Sequence, residues 1–191
     1  MKTILKISII LWSLVFTVNA SNNSKSENMD ATNILKSYAT YNRWANEQLV
    51  DWIKQATEEQ LNQEVESSFS SLKATVSHIF NAEFGWLTTL NSKSWQSIPD
   101  YENTDVFFKA FIENSKTFEN KVLAIMNQEG FEELRYLGKD KKATSLADII
   151  LHVFNHSTFH RGQLITIGRQ VGLKNPPRTD YIYFINLDER E

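Results

Sequence analysis

Between residues 31 and 172, apolar side chains recur at alternating steps of three and four in four separate stretches. That spacing is the signature of helices that each bury one face. The first stretch covers about 31–55, with Ile34, Tyr38, Tyr41, Ala45, Leu49 and Trp52 on its stripe. The second covers about 71–91, with Leu72, Val76, Ile79, Trp86 and Leu90. The third covers about 104–127, with Phe107, Phe111, Phe118, Val122 and Ile125. The fourth covers about 145–172, with Leu146, Ile149, Val153, Leu164, Ile167 and Val171. Six glycines and three prolines in 191 residues leave these stretches almost unbroken. Ser70 or Ser71, Thr104 and Thr144-Ser145 stand where N-caps are needed, Asp148 suits a first turn, and Gly172 suits a helix end.

Four stripes of this length bury one another, so the fold class is all-α, a four-helix bundle. Residues 132–143 do not fit a helical stripe, and Gly138-Lys139-Asp140 could turn a short hairpin before the last helix. The tail Tyr181–Ile185 is expected to pack back on the helices as a short extended segment. The connections around 56–70, 92–103 and 128–143 are long for a minimal bundle, and long loops often build the mouth of a site.

Residues 1–20 read as a signal peptide. Lys2 and Lys6 flank an apolar run, Ile7 to Val18, and Val18-Asn19-Ala20 supplies the small residues of a cleavage site. The run falls short of the roughly 20 residues of a spanning helix. The expectation is export to the periplasm or outside the cell; an uncleaved membrane anchor is the alternative. Residues 21–30 read as a loose polar leader, and 31–186 as one domain. No stable membrane span is expected once the signal is removed. Without Lys2 and Lys6 the chain has 18 basic and 23 acidic residues, a net charge of −5, which argues against nucleic acid as partner. No cysteine is present, which excludes disulfides, lipidation at cysteine and thiolate chemistry.

The fourth stripe carries an anomaly. His156 and His160 occupy two positions where the pattern calls for apolar residues. A buried polar group without a partner costs roughly 1–3 kcal/mol. Side chains at i and i+4 share a face, so a divalent metal between the two rings would satisfy both. His78, beside Ile79 on the second stripe, offers a third ligand, and Ala82 and Gly85 nearby are small enough to leave room for an ion and its ligand. Three histidines with one open position is the arrangement of a catalytic zinc-type site. The alternative is a polar network without metal, pairing the histidines with Glu83, Asn155 or tyrosines. His152, one turn before His156, could orient the site by a hydrogen bond or have no role in it. Glu83 and Arg161 are weak catalytic candidates. Glu83 could be a general base or an outer hydrogen-bond acceptor, or could pair with Arg43 or Arg161. Arg161 could bind an anionic substrate or form a structural ion pair.

Three segments resemble the DinB family, the DinB/YfiT-like metalloenzymes. They are YNRWANEQLVDWI at 41–53, LKATVSHIFNAEFGWL at 72–87 and NHSTFHRGQL at 155–164, in the family's order. The resemblance spans most of 31–186. It implies a four-helix bundle, a zinc or nickel ion held by His78, His156 and His160, and a homodimer. It also implies kinship with metal-dependent thiol transferases. Most members look cytoplasmic, and the export signal here departs from that.

The expected function is an exported metal-dependent hydrolase or group transferase, thiol-transferase-like, acting on an unidentified small molecule. The alternative is a non-catalytic metal- or ligand-binding bundle. Protons compete with metal for imidazole, so the ion should be lost as the medium is acidified through the histidine range.

Overall fold

The computed structural model describes residues 31–101, 103–128, 130 and 132–187. The expected signal peptide and leader, 1–30, lie outside them. The elements in chain order are α1 (Ala31–Ile53), α2 (Glu58–Asn62), α3 (Leu72–Leu90), α4 (Thr104–Asn127), β1 (Leu134–Leu137), β2 (Lys142–Ser145), α5 (Leu146–Gln170) and α6 (Tyr181–Ile185). The four long helices are the four stripes, and the fold is an all-α bundle with one small hairpin. Among the described residues no helix is long and apolar enough to cross a membrane.

The caps follow local chemistry. Ser71 accepts from the Ala74 N–H and Ser145 from the Asp148 N–H, as their hydroxyls suggested. The cap of α4 is Asn103 rather than Thr104, because the Asn103 amide oxygen reaches the Val106 N–H. α2 was not legible as a stripe, since five residues are too few to show one. It is held instead by a reciprocal pair in which Thr57 accepts from the Gln60 backbone and Gln60 from the Thr57 backbone. Gly172 follows the end of α5 at φ +95°, the left-handed conformation that favours glycine.

The buried apolar side chains fall into two large clusters and a small third one of Tyr41, Ala45 and Phe184. The first holds Leu49 and Ile53 of α1, Leu72, Val76 and Phe80 of α3, Phe107 and Phe111 of α4, Leu164 and Ile167 of α5 and Val171 just after it. The second holds Leu35 and Ala39 of α1, Leu87 and Leu90 of α3, Phe118, Val122 and Met126 of α4 and Leu146, Ile150 and Phe154 of α5. Along the chain, α1 and α5 pass from the second cluster to the first, and α3 and α4 pass the other way. The bundle is therefore up-down-down-up. α1 packs on α4 and α5, and α3 packs on α4 and α5. Between the two apolar halves lies a buried polar layer of Asn42, Asn46, Glu83, Asn114, Ser115, Ser157 and Arg161.

The hairpin pairs β1 and β2 antiparallel, Leu134 opposite Ser145 and Leu137 opposite Lys142, around a turn that opens on Gly138. The tail differs from the extended segment expected of it. It forms one helical turn, because Tyr181 and Phe184, three residues apart, both meet α1. Tyr181 stacks on Tyr38 at 4.9 Å, and Phe184 is buried against Tyr41 and Ala45.

Candidate metal centre

α3 and α5 run antiparallel, which sets His78 of α3 against consecutive turns of α5. One ring nitrogen from each of His78, His156 and His160 lies within 4.8 Å of the other two. His78 Nε2 and His156 Nε2 are 2.9 Å apart. The ring centroids are separated by 4.8 Å (His78–His156), 4.5 Å (His78–His160) and 4.4 Å (His156–His160). Co-ligands of one tetrahedral ion at its usual bond lengths stand about 3.3 Å apart. The three nitrogens bracket that spacing, so a small adjustment would let them hold an ion. Three imidazoles suit zinc, nickel, copper or iron better than the hard cations calcium or magnesium.

The electrostatics favour neutral rings at His78 and His156. Burial, with the His160 ring nearby, lowers the pKa of His78. Burial lowers His156 further, to about 4, helped by His160, His78 and His152. A neutral imidazole is the form that ligates. His160 is oriented from behind. Its Nδ1 lies 2.7 Å from Gln163 Oε1, an oxygen that can only accept, so Nδ1 carries the proton and Nε2 keeps its lone pair. Gln163 Nε2 in turn donates to Ser68 Oγ at 2.9 Å. Phe69 covers the triad from the same loop, stacked on His78 at 4.1 Å and edge-on to His160 at 5.5 Å.

His152 stands apart. It is exposed, its ring is 5.8 Å from His156, and it meets Trp86 edge-on at 5.2 Å. It does not belong to the three-nitrogen cluster. Gly85 does not leave room for an ion. A Cβ there would overlap the Trp95 indole, so the glycine seats that ring. Gly162 has open space around it, whereas a Cβ at Gly168 would overlap the Trp52 ring.

Arg161 follows His160 and turns about 100° around the helix, away from the triad and into the polar layer. Its Nη1 donates to Asn42 Oδ1 (2.7 Å) and Asn46 Oδ1 (3.1 Å), its Nη2 donates to Thr158 Oγ1 (2.9 Å), and its guanidinium lies over Tyr41. Glu83 is fully buried and accepts from Asn42, Asn46, Asn114 and Ser115. Burial raises the Glu83 pKa, and Ser115, Asn114, Asn42 and Arg161 oppose the rise. Arg43 pairs with Glu47 and Glu119 at the surface between α1 and α4. Ser157 Oγ and Arg161 Nε, both buried, have no partner among the described residues.

Four residues here carry structure that the sequence did not disclose as functional. Asn42 and Asn46 sit one turn apart on the buried face of α1, and that polar i, i+4 pair inside a stripe was the available signal. Gln163 lies three residues after His160, the spacing that lets a side chain reach back. Phe69 is the one aromatic residue in the serine-rich run ESSFSS.

A family model described as "DinB family" matches residues 26–191. The chain is also similar to Protein DinB of Bacillus subtilis (strain 168), at 26% identity over 161 residues, spanning 79% of this chain and 93% of that protein.

Proposed function

The chain belongs to the DinB family, and from that premise we propose that it is a metal-dependent hydrolase or group transferase acting on a small molecule. His78, His156 and His160 would hold one divalent ion, zinc or nickel. The observation that carries this reading is the convergence of three imidazole nitrogens from two helices, within 4.8 Å, with no fourth protein ligand joining them among the described residues. A divalent ion so held supplies Lewis acidity and lowers the pKa of whatever occupies its open position.

The chain's own residues do the rest. Burial keeps His78 and His156 neutral and ready to bind. Gln163 holds the His160 ring with Nε2 free. Phe69 shields one side of the triad from water. In this reading Glu83 and Arg161 support the bundle and do not touch substrate, since both are buried in the polar layer and held by its amides. That placement favours the second reading, a non-catalytic metal-binding bundle, to the extent that turnover needs a carboxylate base beside the triad. Export to the periplasm or beyond is part of the proposal and rests on residues 1–20. The homodimer rests on the family.

Elemental analysis of the protein purified without a polyhistidine tag tests the reading. About one zinc or nickel ion per chain is expected, and it should be lost in His156→Ala and His160→Ala while helix content stays. No bound metal after incubation with both ions would sink it. Turnover of thiol-transfer and hydrolase substrate panels then separates enzyme from carrier.

A further inference from the structure

The segment between α2 and α3, residues 63–71, is tied to the triad at two points. It is anchored at both ends. The Val65 N–H donates to Ser70 O at 2.9 Å, Val65 packs on the core, and Ser71 caps α3. Its middle, Glu66 to Ser68, is exposed. From there Ser68 Oγ accepts from Gln163, and Gln163 accepts from His160. One residue on, Phe69 stacks on His78. Each tie ends on a different histidine, from a different helix. A groove of about 270 Å³ lined by Glu66, Ser67, Phe159, Gly162, Gln163 and Thr166 runs along the outside of the segment, so solvent reaches its outer edge.

We propose that Gln163 is a positioning residue for His160, and that residues 63–71 form a strap coupled to metal occupancy through Ser68–Gln163–His160 and Phe69–His78. This rests on the triad holding an ion. The ion needs His160 with Nε2 unprotonated and pointing inward, and the Gln163 oxygen enforces that orientation. Gln163 can hold this orientation best while its own amide is held by Ser68. Coupling of two events is reciprocal. Metal binding therefore tightens the strap, and loosening the strap weakens the metal.

Zinc affinity, measured by competition with a chromophoric chelator, and amide hydrogen exchange across 63–71 with and without zinc test the proposal together. Gln163→Leu removes the acceptor on His160, and an affinity loss of about 10–100-fold is expected. Ser68→Ala lies on an exposed loop and leaves the His160–Gln163 bond intact; a smaller loss, about three- to tenfold, is expected. Zinc should slow exchange at 66–69 in the unaltered protein and have much less effect there in either variant. Loss in Gln163→Leu with Ser68→Ala unchanged would overturn the strap's part. Zinc binding that depends on His160 but is unchanged in both variants would overturn the whole inference and leave the triad reading standing. If the unaltered protein binds no zinc, or His160→Ala binds it equally well, the triad reading fails and takes this inference with it.

Discussion

Arg161 and Glu83 face each other across the middle of the bundle without a direct ion pair; Asn42 and Asn46 stand between them. Each asparagine accepts from the guanidinium through Oδ1 and donates to the carboxylate through Nδ2. Ser115 extends the chain, accepting from Asn46 and donating to Glu83. The orientation of both asparagine amides is thereby set, and all four long helices contribute to one network.

Removing one charge strands the other. Arg161→Met should cost about 3–5 kcal/mol, because it leaves Glu83 buried without its counter-charge. Adding Glu83→Gln should recover part of that loss, since the two sites share partners. Urea denaturation of the two singles and the double checks this. A double variant as unstable as the sum of the singles would contradict the network.

The metal-free protein should lose stability on acidification. The unfolded chain binds protons at His156 near the ordinary value of 6.5, and the folded chain only near 4. Between those values the unfolded state holds more protons, so unfolding free energy falls as pH falls. His78 shifts in the same direction. For the half-buried His156 the loss is on the order of 1–2 kcal/mol after allowance for solvent screening. Denaturant midpoints at pH 7, 5.5 and 4.5 should show it, and His156→Phe should flatten it.

Two glycines of α5 should respond oppositely to alanine. At Gly168 a Cβ would overlap the Trp52 ring, which is buried and bonded to Lys174 O at 2.6 Å, so about 1–3 kcal/mol should be lost. Gly162 has nothing within 4 Å, and a helical alanine there should gain about 0.5–1 kcal/mol. Thermal melts of the two variants decide it.

His152→Ala should retain the full metal complement and near-normal zinc affinity, in contrast to the three triad alanines. Its ring is exposed and engaged with Trp86 rather than with the three-nitrogen cluster. Loss of the ion in this variant would make His152 a fourth ligand.

Much of the molecule was legible before any coordinates. The periodicity located all four long helices. Ser71 and Ser145 marked two of their starts, and Gly138 marked the hairpin turn. His156 and His160 stood out because they interrupt an apolar stripe, and His78 because of its place beside another. α2 and α6 were not legible, since a single turn has no stripe; their helical form rests on a capping pair in one and on contacts with α1 in the other. The Gly85 reading failed for a related reason. A small residue announces that something approaches, and says nothing about whether it is an ion or Trp95.

A helical stripe is a property of one segment's own covalent geometry, so the sequence by itself determined where the four long helices lie and which face each of them buries. It also placed two imidazoles one turn apart, because i and i+4 share a face on any helix. Which helices became neighbours was decided only by the tertiary structure. An apolar face does not name its partner, and the up-down-down-up order depends on how all four faces fill one core together. That order alone brought His78 against α5, set Gln163 within reach of Ser68, and turned Arg161 toward Asn42 and Asn46. Each of these contacts joins residues far apart along the chain, and no local pattern carries that distance.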